Sequence, residues 1–417
     1  VTGVLAFSAY LLLPLIGVAT WRLRGVREMD LDGRIAVAAA AGAVIVASIL
    51  VALSVVSISW TRIGVFSIAA VVTAASIYAV KSPFLETRRP NIVVLSGLIV
   101  IAILLVYGLL DARMSCGDLH FFWGPKAVRF YRDGGVTPAS LGDSNASRMN
   151  PGYPLLVPLL YVWSEMMARQ FSWWAAVLST ALFLFGSVAL VRSTARDDRA
   201  ALLMAATLAY AMAIADAAGA GEPPLIFFET LTIVAITFIR DRRSQSLLAA
   251  VGLAGAVMTK IEGTTFAIAV VVTMLALRWS VKRTLAIAAP ATLLLAAWLG
   301  FVRGHNLSEY YRGAAMPIYF AAFPKTLATL AKASGYELYL LPWLVPAVLV
   351  ALGPNRRKAA LPLTVAVLTF VAAFFFYVHL PDPTWWILSS APRVLLTPLT
   401  ALLIAAGAAW HSADDLS

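Results

Sequence analysis

Four residues with chemical side chains lie close together in one polar stretch of this sequence. They are Asp118, His120, Trp123 and Lys126, within DARMSCGDLHFFWGPKAVRFYRDGG, which begins at Asp111. A carboxylate there suits a general base that takes a proton from an acceptor hydroxyl. Similar breaks between apolar runs hold the other candidates. Glu222 precedes Pro223 and Pro224, Lys260 and Glu262 lie in Met258-Thr-Lys-Ile-Glu-Gly263, and Arg393 follows Ser389-Ser-Ala-Pro392. Lysine and arginine suit phosphate oxygens, arginine with two parallel bonds. Asp111 and Glu222 are alternative bases, and Glu229 is a deeper acidic candidate. Each residue also has a plain structural reading. Asp118 suits a helix N-cap, Lys260 and Glu262 suit a mutual pair, and Glu222 and Arg393 suit carboxylate and guanidinium snorkels at helix ends. A lone His120 more often packs or hydrogen-bonds than binds metal.

What surrounds these residues is a membrane protein. Of 417 residues, 61% are hydrophobic and 13% charged, half the charge of an ordinary soluble domain. Apolar runs of about 18 residues or more recur along the chain, the mark of transmembrane helices. The expected fold is all-α and polytopic, with thirteen spans at 4–21, 35–56, 63–80, 92–110, 172–191, 201–217, 224–239, 245–259, 263–277, 284–302, 338–352, 361–378 and 393–410. The first span has no small-residue cleavage site behind it and reads as a retained helix. Residues 1–91 form a three-span scaffold, 92–410 the module that carries the chemistry, and 411–417 a cytoplasmic tail.

Charge sets the orientation. Nineteen of the 32 basic residues fall in six short connections, among them Arg22, Arg24, Arg27 and Arg34, then Arg192, Arg196 and Arg199, then Arg240, Arg242 and Arg243. The positive-inside rule places these connections in the cytoplasm. Residues 111–171, 303–337 and 380–391 then face outward with the turns at Glu222 and Lys260. The net charge of +11 is therefore a topology signal and does not call for nucleic acid. A single cysteine, Cys116, excludes an internal disulfide and a CxxC metal site.

Within the long outer connection, Pro125 can start a helix and Gly134 can end one. Lys126, Arg129, Arg132 and Asp133 fall on one arc of that helix, and Ala127, Val128, Phe130 and Tyr131 on the other. This predicts an amphipathic helix in the membrane surface, basic side towards lipid headgroups. Tyr153–Trp163 is apolar, too short to span, and contains Pro154 and Pro158; it reads as re-entrant or interfacial. His305, Tyr310, Tyr311 and Arg312 in one later outer loop, and His379, Asp382, Trp385 and Trp386 in another, suit sugar recognition or an aromatic belt. Asn145-Ala-Ser147 fits the glycosylation tripeptide, a pattern frequent by chance.

Taken in order, these motifs resemble a family. Asp118 ahead of Trp123-Gly-Pro-Lys-Ala127, then Gly152-Tyr-Pro-Leu155, Glu222-Pro-Pro, Lys260-Ile-Glu-Gly263, and Arg393 before a last span containing Pro398 are similar to the GT-C superfamily of integral-membrane glycosyltransferases. The likeness is to the bacterial branch of aminoarabinose lipid A transferases and protein O-mannosyltransferases, and covers about residues 93–410. It implies inverting transfer of a sugar from a polyprenyl-phosphate donor to a glycan, lipid or protein acceptor on the outer face of the cytoplasmic membrane. The implied base is Asp118 with Glu222 as a second catalytic carboxylate. Lys126, Lys260 and Arg393 are the implied phosphate-binding residues, and His120, Trp123, Tyr153 and Glu262 the substrate contacts. No cofactor is implied with certainty and divalent metal dependence stays open. Leu119 and His120 stand where the family usually has a further acidic residue or tyrosine, and three spans precede the family's usual first. The competing readings are another lipid-linked transfer enzyme, such as a ligase or phosphotransferase, and a transporter, which would place its ionisable residues at mid-membrane between related halves.

Overall fold

Long apolar runs can satisfy their backbone in lipid as α-helices or in a closed barrel. Helices are the only regular structure among the described residues. The computed structural model describes residues 2–80, 117–142, 150–215, 217–307, 323–335, 341–379 and 383–411.

The chain opens with α1 (Thr2–Leu11) and, after short turns, α2 (Leu31–Val55) and α3 (Arg62–Ala79). A Cβ on Gly17 would lie 2.0 Å from the Ala38 carbonyl oxygen, and one on Gly42 2.0 Å from that of Leu13. Backbones therefore cross here with no side chain between them, as small residues permit in membrane bundles. Thr61 caps α3 by accepting from the Gly64 N–H.

The next described stretch forms α4 (Gly124–Asp133) and α5 (Leu156–Ala168), followed by α6 (Trp173–Ala195), α7 (Asp198–Ala215), α8 (Glu222–Phe238), α9 (Arg242–Thr259) and α10 (Ile261–Ala276). The remainder is α11 (Val281–Gly304), α12 (Phe323–Gly335), α13 (Leu341–Leu352), α14 (Arg356–Val378), α15 (Pro383–Val394) and α16 (Leu396–Trp410). The main hydrophobic core joins residues from α1 through to α16, and a second, smaller one joins α12, α14 and α15 through Leu330, Ala373, Tyr377, Ile387 and Ala391. The three N-terminal helices share it: Trp163 and Ser164 of α5 donate to the carbonyls of Ala9 and Ala6 at 2.8 and 2.9 Å. Arg62 at the head of α3 donates to the Met166 carbonyl at 2.5 Å.

Among the described residues, six helical stretches are long and apolar enough to cross a membrane, Thr2–Arg22, Leu31–Val55, Trp173–Ala195, Val281–Gly304, Arg356–Val378 and Pro383–Trp410. The all-helical, multi-pass class stands on these; six of the thirteen expected spans meet this length among the described residues. The span at 92–110 lies outside the described residues. Others are shorter than a bilayer needs, Ile261–Ala276 and Leu341–Leu352 among them. In α8 every residue from Glu222 to Ile236 is buried. Its apolar sequence serves contact with neighbouring helices, which hydropathy alone does not separate from contact with lipid.

Two local expectations change. The segment at Tyr153–Trp163 is no surface helix: Leu156–Met166 of α5 is buried throughout. Pro158 sits in its first turn, where a missing N–H costs no helical bond. Helix α4 forms where expected, and Gly134 ends it in the left-handed conformation, φ 66°. Its inward face, however, is Lys126, Ala127 and Phe130, while Val128 on the supposed apolar arc is exposed. Residues i and i+4 share a face, so burying Phe130 carries Lys126 inward with it.

Candidate active site

Four distant pieces of sequence bring five charged side chains together at one end of the bundle. Glu222 opens α8, and Lys260 lies in the turn between α9 and α10. Lys260 Nζ is 2.7 Å from Glu222 Oε1 and 3.1 Å from Glu262 Oε1. Arg393, near the end of α15, places Nη1 2.5 Å from Asp118 Oδ2 and Nε 3.9 Å from Glu222 Oε1. Asp118 stands just before a π-helical turn, Leu119–Trp123, and its side chain caps no backbone N–H. Such one-turn π segments recur at functional sites. The N-cap reading of Asp118 therefore fails and the ion-pair reading replaces it.

Small residues let these pieces meet. A Cβ on Gly221 would approach the Lys260 side chain at 2.9 Å and Trp123 at 3.1 Å. Gly219, at φ 74°, turns the chain ahead of α8. Its N–H donates to Thr180 Oγ1 at 2.8 Å and its carbonyl accepts from Tyr161 at 2.6 Å. The Glu222 turn is thus held by α5 and α6 before any substrate arrives. Such preorganisation is what electrostatic catalysis requires.

The cluster has a sealed layer and a more open one. Side-chain exposure is 2% for Glu222 and 7% for Lys260, against 17% for Asp118 and 23% for Arg393. Burial alone would raise the Glu222 carboxyl, but Lys260 and Arg393 beside it hold it below the usual carboxylate range. The Asp118 carboxyl moves the other way. Burial and then the charge of Glu222 push it up, against the pull of Arg393 and Lys260. Two carboxyls in one site with opposed shifts suit divided acid and base duties.

Several polar atoms around the cluster have no hydrogen-bond partner among the described residues. Glu222 Oε2, Glu262 Oε2 and Trp123 Nε1 are all buried and unpartnered. Unsatisfied buried groups are costly and call for an explanation. They are two acceptors and one donor, on side chains that belong to or adjoin the charged cluster.

The remaining predicted residues divide. Tyr153 meets the Trp123 ring edge-on, centroids 5.8 Å apart. His120 stacks on Trp173 at 4.6 Å. Lys126 is 1% exposed; its ammonium donates to the Asn150 carbonyl at 2.9 Å and lies over the Trp123 ring. Burial pushes the Lys126 amine down to about 7. It supports the wall of the site and makes no ion pair with the five charged groups. Glu229, two turns along α8, accepts from Thr397 Oγ1 at 2.8 Å.

The small residues Ala217–Gly221 ahead of Glu222 suit close approach from the sequence alone, while nothing in the sequence singles out Thr397 or Trp173. His305 hydrogen-bonds the Phe301 carbonyl, away from the ion pairs. Asp111, Cys116, Asn145–Ser147, Tyr310–Arg312 and Asp382 lie outside the described residues.

Among the described residues, no group of three or more His, Cys, Asp and Glu side chains is arranged to hold a metal ion. No family model, curated protein or solved structure matches the chain.

Proposed function

We propose that this chain is a membrane glycosyltransferase of GT-C type. It moves a sugar from a polyprenyl-phosphate donor to a glycan, lipid or protein acceptor on the outer face of the cytoplasmic membrane. The observation that carries the reading is the meeting of Asp118 with Arg393, 275 residues away in sequence, beside the Glu222–Lys260 pair. A base and a phosphate-gripping cation within one cluster are the two parts that displacement of a lipid phosphate needs.

Asp118 takes the proton of the acceptor hydroxyl as that oxygen attacks the anomeric carbon. Arg393 meets the charge that develops on the departing phosphate, and Lys260 adds positive field from behind. The orphaned oxygens of Glu222 and Glu262 and the Trp123 N–H hold sugar hydroxyls. A lipid donor accounts for a charged site at the end of an apolar bundle, since the lipid tail stays in the membrane while its head reaches the cluster. The charged groups gather where α8, α10 and α15 begin or end. A coupled transporter is expected to place them at mid-membrane instead.

The test is incubation of the purified protein with a panel of polyprenyl-phosphate sugars, following release of lipid phosphate. Wild type should release it with at least one donor, and Asp118→Asn should not. Release that survives in the variant moves the base to another carboxylate. No release with any donor and any acceptor extract counts against the reading.

A further inference from the structure

The cluster holds a phosphate-gripping arginine that is already occupied. With all groups ionised, Asp118, Glu222 and Glu262 set three negative charges against the two positive charges of Lys260 and Arg393. Lys260 is committed to two carboxylates at 2.7 and 3.1 Å. Arg393 is committed to Asp118 at 2.5 Å. An incoming phosphate therefore meets a cluster with no surplus of positive charge, unless one carboxylate steps aside.

Asp118 is the one built to do so. It belongs to the more open layer, whereas Glu222 is sealed at the head of α8. It sits on an irregular turn ahead of α4 and caps nothing there. Burial and the neighbouring Glu222 both work against its charge, so an Asp118 parted from Arg393 is poised to take up a proton, whereas Glu222 keeps Lys260 at 2.7 Å. Arg393 also keeps Nε within 3.9 Å of Glu222, which holds the guanidinium in place while Nη1 changes partner.

We infer that the Asp118–Arg393 ion pair is a latch: the donor phosphate takes Arg393 from Asp118, and only then is Asp118 released to act as base. The inference rests on the lipid-phosphate reading above. It makes proton abstraction conditional on donor binding, so that an acceptor arriving first meets a carboxylate held by arginine. In the transfer step, the acceptor oxygen forms its bond to the anomeric carbon and its proton passes to Asp118. The bond from that carbon to the phosphate oxygen breaks, and its electron pair stays on the phosphate, held by Arg393. Asp118 then gives the proton to solvent water, which restores a competing carboxylate that re-forms the ion pair as the lipid phosphate leaves.

The experiment measures binding of a short-chain polyprenyl phosphate in detergent micelles, read by the fluorescence of Trp123 and its neighbours. It compares wild type, Asp118→Asn, Glu262→Gln, Arg393→Gln and Arg393→Lys, each checked for folding by thermal unfolding. A latch predicts binding about tenfold tighter in Asp118→Asn, the worth of one charge-assisted hydrogen bond no longer competed for. Glu262→Gln removes the same charge without freeing Arg393, so its gain should be several-fold smaller. Arg393→Gln should bind at least tenfold more weakly, with Arg393→Lys between. Equal tightening in Asp118→Asn and Glu262→Gln overturns the latch and leaves only a general charge effect. Unchanged or weaker binding in Asp118→Asn, with loss in Arg393→Gln, also overturns it while the lipid-phosphate reading stands. No binding by wild type or by any variant overturns that reading and the latch together. Should Asp118→Asn fail to fold, Asp118→Ser removes the same competitor and takes its place.

Discussion

Two buried charge clusters occupy opposite ends of this bundle, and they are built on different plans. At the end where the basic connections gather, Arg192 faces three carboxylates, Asp30, Asp32 and Asp198, at 3.3, 2.8 and 3.5 Å. Around it the loops tie to one another by backbone. The Gly25 N–H donates to Ser244, the Asn355 N–H donates to Ala409, and His411 bonds the Ala195 carbonyl. Arg283 reaches the Arg242 carbonyl and Gln245. The other end holds two cations among three carboxylates, walled by Trp123 and Tyr153, with unpartnered polar atoms turned into it. One cluster fastens helix ends; the other sets two carboxyls with opposed shifts beside an aromatic wall. Charge pairing by itself does not distinguish a strut from a site, and neither do orphaned atoms, since Ser193 Oγ is buried without a partner at the first end as Glu222 Oε2 is at the second.

That contrast is open to direct attack. The largest effect should come from Asp118→Asn, which leaves shape and packing nearly unchanged and removes the base. Transfer is expected to fall by about 10²–10⁴-fold, with little change in unfolding temperature. The next is Lys260→Met, which strands Glu222 and Glu262 without their buried partner. Breaking a buried pair from one side costs about 3–5 kcal/mol, to be read as loss of stability in detergent together with loss of transfer. Arg192→Leu is expected to lower stability by about 2 kcal/mol while transfer per folded molecule stays at the wild-type level. A fall in transfer there as large as in Asp118→Asn would erase the distinction between the two ends.

The smallest effect concerns Lys126. Its folded amine lies near 7, below the ordinary 10.5, so between those values the unfolded chain binds a proton that the folded one does not. Stability from this group therefore rises with pH from about 7 to about 10.5 and is flat below 7. The difference in unfolding temperature between wild type and Lys126→Met, followed from pH 6 to pH 10, should show that rise. A flat difference would place the ammonium in water, contrary to its burial.

Much of this was legible in the chain, for identifiable reasons. Hydropathy gave the membrane class because lipid leaves helices few rivals, and the end of α4 followed from the left-handed preference of Gly134. Asp118, Glu222, Lys260, Glu262 and Arg393 were picked as polar breaks between apolar runs, which is why they fall at helix ends that meet. The pairing among them was not legible, because it depends on how helices far apart in sequence pack. Hydropathy likewise does not separate lipid contact from protein contact: α8 is apolar and buried against its neighbours. Lys126 was placed on the wrong side because the arc was drawn by charge, when the bulk of Phe130 one turn on decided which face turned inward.

The measurement that bears most directly on the account is lipid-phosphate release by Asp118→Asn and Arg192→Leu side by side, from a polyprenyl-phosphate sugar that wild type uses, normalised to folded protein. The account predicts that release collapses in Asp118→Asn and persists at the wild-type rate in Arg192→Leu. Equal rates in the two variants, whether both lost or both kept, would contradict it.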